Sequence, residues 1–380
     1  MVARAMLEKE AETAEKIERV VRVLAAEQLD GVLLTAQHNF AWLTAGGTNG
    51  VDASREAGAG ALFVRRDGKC FVLASRIELP RLLAEELSEK IFAPIEFAWE
   101  EEKAAPTLLA DRALALLAGG DKLGADLALD GKARLVESAI ARCRYQLTDA
   151  EMERYRALGR DAGRAIGAMI RELAPGLTEQ EVARRAGDAL AACGARSVVT
   201  LVAADERLQR FRHPVPTERK WEKVLMVVVC AQRGGLIASL SRIVCAGAAA
   251  AELTRRMRAT ASVNARLLAA TRPGARGAAL YKLAAHAYAA EGFAGEERLH
   301  HQGGACGYRT RDWVAHPLSE EIVHTRQAFA WNPSITGAKV EETCLAFADR
   351  IEIITATPDW PQIAVEVNGC EYSAPDVLSL

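Results

Sequence analysis

The chain contains no Cys-x-x-Cys pair, no uninterrupted apolar run of membrane-spanning length, no cluster of basic residues, no internal repeat and no low-complexity segment. Each absence excludes something. The eight cysteines, at positions 70, 143, 193, 230, 245, 306, 344 and 370, are scattered, and several sit inside apolar runs. They read as reduced thiols of a cytoplasmic protein, not as a disulfide framework or a zinc knuckle. Spanning a bilayer takes about 20 consecutive apolar residues, so no membrane segment is expected. With 48 basic against 50 acidic side chains and a net charge of −2, there is no electrostatic footprint for nucleic acid or an anionic membrane. The first thirty residues lack the apolar core and small-residue cleavage site of a secretory signal. They open on charge, Glu8-Lys-Glu-Ala-Glu12, and continue with Ile17, Val20, Val21, Val23 and Leu24 at helical spacing.

What is present argues for two domains, since 380 residues exceed the roughly 250–300 that one hydrophobic core serves. Asp30-Gly-Val-Leu-Leu-Thr35 reads as a short buried strand. Arg66-Asp-Gly68 is a hairpin turn between apolar runs at 59–64 and 69–74. Helical patterns at 78–87, 106–117 and 133–144 complete an α/β pattern. Thr148 with Glu151 forms a capping-box signature that opens a long amphipathic helix to Leu173, ended by Pro175-Gly176, and Thr178 with Glu181 opens a second. The junction is therefore expected at 143–148, dividing a domain of residues 1–145 from one of 146–380. Strands are expected at 197–202, 223–231, 237–244, 328–331, 340–346 and 350–355, and helices at 249–270 and 277–290.

Four stretches carry a family resemblance: Phe211-Arg-His-Pro-Val-Pro-Thr217, Leu299-His-His-Gln-Gly-Gly304, Phe329-Ala-Trp-Asn-Pro333 and Lys339-Val-Glu-Glu-Thr343. In order and spacing the chain resembles the creatinase/aminopeptidase P/prolidase group, the M24 family, over nearly its whole length. Gly31–Thr35 and Asn39–Thr44 supply a looser match at the N-terminal end. The resemblance implies a creatinase-type N-terminal α/β domain followed by a pita-bread catalytic domain, in which helices cover a curved antiparallel sheet. It also implies a homodimer acting on a small molecule or short peptide. Family members hold two divalent metals through five ligands. Matched position by position, Cys230 and Ser239 stand where the family has aspartates and Asn332 where it has a glutamate, while His301 and Glu341 are kept. Tyr308 replaces a further family histidine.

Two closely spaced divalent cations need several carboxylates to offset their mutual repulsion, and this set does not supply them. Three readings stay open. In the first there is no cofactor. His213 acts as general acid and base, as the resemblance to creatinase implies, because an imidazole titrates near neutrality and serves both halves of a proton transfer. Glu341 would then hold a cationic amidine or amine, and the bond broken would be C–N. In the second, one zinc ion sits on Cys230, His301 and Glu341 with an open position. In the third, the chain is a non-catalytic pseudo-peptidase that binds a ligand or serves as a scaffold.

Cys230 is either a nucleophile assisted by a histidine or a small buried hydrophobe closing an apolar run. Arg242, Asn332, Tyr308 and Arg55 are candidate substrate contacts, Arg55 because family dimers bring its region over the partner's site. The family resemblance implies that Arg242 more often braces local structure, and Tyr308, Arg309 and Arg311 read either as an anion-recognition cluster or as a solvated hairpin. Adjacent residues on a strand face opposite ways. Only one of His300 and His301 is thus expected in the pocket, and Glu342 is expected in solvent.

Overall fold

The computed structural model describes residues 2–380, with side chains from Leu7, and divides into two compact units, Met1–Arg144 and Tyr145–Leu380. Among the described residues no helix is long and apolar enough to cross a membrane. The first unit is built on a six-stranded mixed sheet in the spatial order Phe92–Phe97, Cys70–Ser75, Ala57–Arg65, Gly31–Ala36, Leu123–Ala125, Arg134–Leu135. The Asp-Gly turn produces the expected antiparallel hairpin, with Ala61 opposite Leu73 and Val64 opposite Cys70. Leu33, Phe63, Leu73, Phe97 and Ala113 make the core on one face of this sheet, and Trp42 is fully buried in the same unit. The edge strand Phe92–Phe97 was not expected. It reads Phe-Ala-Pro-Ile-Glu-Phe, and its proline is tolerated because it lies at the sheet edge.

The second unit opens with both capping boxes in place. Thr148 Oγ1 accepts from Glu151 N at 3.1 Å while Thr148 N donates to Glu151 Oε2 at 2.8 Å, starting the helix Asp149–Arg171. Thr178 and Glu181 repeat the arrangement for Glu179–Ala192. Thr148→Ala is expected to cost about 1–2 kcal/mol, read as a lower urea midpoint at unchanged m-value.

Two sheets follow. A four-stranded one runs Leu378–Ser379, Leu236–Cys245, Val224–Arg233, Arg196–Ala204. A five-stranded one runs Trp313–Val314, Gly303–Cys306, Gln327–Trp331, Glu342–Ala346, Ile351–Ile353. Met226, Val228, Ile243 and Cys245 of the first pack on Met257 and Ala261 of the helix Ala251–Ala270. Thr343 joins the two sheets: its Oγ1 accepts from Ser239 N at 2.7 Å and donates to Ser239 O at 2.9 Å. Ser241 N donates to Glu341 O at 3.0 Å beside it.

Close backbone approaches require glycine at several positions of this unit. A Cβ on Gly304 would stand 2.1 Å from the Trp313 carbonyl oxygen, and one on Gly163 would stand 2.6 Å from the carbonyl oxygens of Thr355 and Ala356. A hairpin of Gln362–Val367 and Cys370–Pro375 precedes the last strand, Leu378–Ser379. Its turn, Asn368-Gly369, has both residues at positive φ, which is the strongest short hairpin signal a sequence offers and was missed above.

Candidate active site

The loop carrying His213 is fixed on both flanks. Glu179, at the first turn of its helix and fully buried, accepts from Ala204 N at 2.8 Å, Thr217 N at 2.9 Å and Thr217 Oγ1 at 2.6 Å. On the other side Arg212 donates to Ser334 Oγ and Thr336 Oγ1 at 3.2 and 2.9 Å and pairs with Glu296. His213 itself is exposed between these anchors.

His300 and His301 are not on a strand. The strand begins at Gly303, and the irregular segment before it turns both rings the same way, with centroids 4.4 Å apart. The expectation that one would face away is therefore corrected. Gln302 holds the segment: its Nε2 donates to His300 O at 2.5 Å and its Oε1 accepts from Tyr288 OH at 2.6 Å. His300 Nδ1 lies 2.5 Å from the carbonyl oxygen of His301, which places its proton on Nδ1 and leaves Nε2 as an acceptor. His213 Nε2, 3.0 Å from that atom, is then the donor, and His213 Nδ1 keeps a lone pair. His301 Nδ1 accepts from Gly303 N at 3.3 Å, so its proton sits on Nε2. Burial, with Lys339 adding to it, holds all three imidazoles below their ordinary range, His300 at about 3 and, with Arg311 contributing, His301 at about 4.

These shifts carry a stability consequence. An unfolded histidine takes a proton near pH 6.5, whereas folded His300 and His301 refuse it until about pH 3 and 4. Between those limits the unfolded chain binds more protons, so stability falls as pH is lowered from 6.5 towards 4. Each histidine contributes at most about 1.4 kcal/mol per pH unit before solvent screening. Urea midpoints at pH 7 and pH 5 measure the slope, and His300→Gln should flatten it.

Glu341 precedes its strand, which begins at Glu342 and not at 340. Its carboxylate is buried between two cations. Arg311 Nη2 donates to Oε1 at 2.9 Å, and Lys339 Nζ lies 3.2 Å from Oε2, an ion pair lying outside hydrogen-bond angles. Burial pushes the Glu341 carboxyl up, but Lys339 and Arg311 outweigh it and leave the group below its ordinary value. Cys230 faces Ser239, whose Oγ donates to Sγ at 3.2 Å. Burial and Glu341 push the thiol up, so it stays protonated at neutral pH and is a poor nucleophile.

The remaining expected residues are placed as follows. Arg242 is fully buried and engaged by Thr357 Oγ1 at 2.9 Å, Ser241 O at 2.7 Å, Thr355 O at 2.9 Å and Glu342 Oε1 at 2.8 Å. Its guanidinium is used up as a brace. Glu342, expected in solvent, is 5% exposed, because the strand it begins is covered on both faces. Tyr308 is buried at 1% exposure. Asn332 is buried, with its N–H on Gln302 O at 3.0 Å and its side-chain oxygen without a hydrogen-bond partner. Arg55 lies on an exposed stretch of the first unit, where its carbonyl accepts from Gln37 Nε2 at 2.8 Å.

Lys339 was missed as a site residue, although its signal was present: residues two apart on an extended chain share a face, and Lys339-Val-Glu341 puts the ammonium beside the carboxylate.

The donor set does not fit a pair of divalent metals. Both Glu341 oxygens are taken by fixed cations, and a divalent ion about 4 Å from an ammonium is repelled by about 8 kcal/mol at an effective dielectric of 20. The zinc set of Cys230, His301 and Glu341 shares that engaged carboxylate. The nitrogens of His213, His300 and His301 do lie within 4.8 Å of one another, a grouping that the expected zinc set did not contain.

Residues 153–353 match the family model of metallopeptidase family M24, and residues 16–158 that of the creatinase/prolidase N-terminal domain. No curated protein matches the sequence. Among solved structures the chain is similar to an Xaa-Pro dipeptidase from Bacillus anthracis, at 18% identity and TM-score 0.73 over 91% of this chain and 98% of that one. It is similar to dipeptidase PepE from Mycobacterium ulcerans at 17% and 0.76, over 92% and 96%. The N-terminal domain of FACT complex subunit SPT16 from Cicer arietinum matches at 11% and 0.69, over 91% and 96%. The fold is accordingly a creatinase-type α/β domain followed by a pita-bread domain.

Proposed function

The chain belongs to metallopeptidase family M24, and from that premise we propose that it hydrolyses a C–N bond of a small amide, amidine or dipeptide-like substrate without the family's metal pair. The observation that carries this reading is the His213–His300 pair. Its geometry orients a largely exposed imidazole with a free Nδ1 lone pair, and partial desolvation with the nearby Lys339 lowers its pKa. Water attacking the carbonyl or amidine carbon gives its proton to His213 Nδ1 as the new C–O bond forms. The imidazolium, disfavoured by partial desolvation and by Lys339, returns that proton to the leaving nitrogen as the C–N bond breaks. His300 acts through His213 as a positioning residue.

Glu341 is not free to receive a substrate cation, since Lys339 and Arg311 occupy it; it acts by holding those two groups. A base must be unprotonated, so kcat/KM should be full at neutral pH and fall with an acid limb whose midpoint lies below 6.5.

A second reading, a pseudo-peptidase that binds without turnover, is favoured by the same engagement of Glu341. The test is a screen of Xaa-Pro dipeptides, dipeptide amides and small amidines in the presence of a chelator. Turnover that survives the chelator supports the hydrolase. Tight binding with no turnover supports the second reading, and turnover abolished by the chelator overturns the metal-free mechanism.

A further inference from the structure

We propose that Lys339, together with Arg311, is a permanent internal cation that takes the electrostatic place of the divalent metals and keeps a metal ion out of the Glu341 position. An ordinary structural ion pair sets one cation against one carboxylate. Here two cations face one carboxylate, and neither has a second carboxylate partner among the described residues. The triad therefore carries one net positive charge (two cations less one anion). Its members are hardly exposed: the side chains of Lys339, Glu341 and Arg311 are 5%, 3% and 13% accessible.

The backbone holds the triad in place. Lys339 pairs with Ser334 across a short hairpin, and Ser241 N binds Glu341 O on the other sheet. The ammonium thus meets the carboxylate from the same extended segment. Its field reaches the whole site, since it disfavours protonation of His213, His300 and His301 together. Positive charge that belongs to the polypeptide cannot be stripped by a chelator. It also favours an anionic ligand over the cationic one that a free Glu341 would have taken.

This inference stands apart from the hydrolase reading, because its test needs no substrate. Co²⁺ is titrated into the full-length protein, the Lys339→Met/Arg311→Met variant and the same variant with Glu341→Gln, following visible absorption and heat. The unaltered protein should bind Co²⁺ no more tightly than its own Glu341→Gln variant, which subtracts any binding by the three imidazoles. The double variant should gain at least tenfold in affinity, and Glu341→Gln should remove the gain. Glutamine at positions 339 and 311 provides a second pair should the methionines fold poorly, as judged by near-ultraviolet circular dichroism. Glu341-dependent Co²⁺ binding by the unaltered protein, or a folded double variant with no gain, overturns the proposal. Failure to find a substrate would bear on the hydrolase reading alone.

Discussion

Replacing His213 with alanine is expected to lower kcat/KM by roughly 10²–10⁴-fold while leaving the thermal midpoint within about 2 °C of the original. The two expectations come from the same geometry. His213 is exposed, and the loop that carries it is pinned by Glu179 and Arg212 rather than by the imidazole. Its removal therefore costs little packing, whereas the proton-transfer group is lost outright. His213→Gln separates chemistry from position: a glutamine can still donate to His300 Nε2 but cannot shuttle a proton, so it should be as inactive as alanine. His300→Gln should act less strongly and should move the acid limb of the pH profile. Full activity in His213→Ala, measured on any substrate the protein turns over, would sink the acid–base assignment.

Arg242→Met is expected to destabilise the second unit by about 3–5 kcal/mol, a loss visible in urea midpoint and thermal midpoint alike. The substitution preserves bulk but leaves Glu342 buried without its cation and Thr355 O and Thr357 Oγ1 without a donor. Burial already pushes the Glu342 carboxyl up. With Arg242 gone the group would protonate more readily still, which limits the cost. The sign follows: a raised folded pKa contributes stability that is lost as pH rises, so the deficit of Arg242→Met should shrink as pH is lowered. A substrate-binding Arg242 would behave otherwise, with KM rising at unchanged stability, and equilibrium unfolding together with KM decides between the two.

Much of this was legible in the sequence because it is local. The capping boxes at Thr148 and Thr178 need residues three apart, the Asp-Gly hairpin needs a turn between two alternating runs, and both appear as read. The Asn368-Gly369 hairpin was equally legible and overlooked. Gly159, Gly163 and Gly167, spaced by four on one helix, lie at a close approach that was not read from the sequence. The Ile354–Thr357 segment fills it, which is how Thr357 reaches Arg242.

The sequence by itself determined the family and the order of its two folds. Only the tertiary structure decided what surrounds Cys230, Ser239, His301, Asn332 and Glu341. Arg311 and Glu341 are 30 residues apart, His213 and His300 are 87 apart, and Arg242 meets Thr355 across 113. No periodicity relates such pairs. Face alternation placed Glu342 in solvent because it assumes one wet side to a strand, and it separated His300 from His301 because it assumes the strand begins early. A buried charge is fixed by whichever opposite charge the long-range fold brings within about 3–4 Å, since the cost of desolvation leaves it no other stable state. For that reason the surroundings of Glu341 turned on Arg311, which only the folded chain brings beside the Lys339–Glu341 pair.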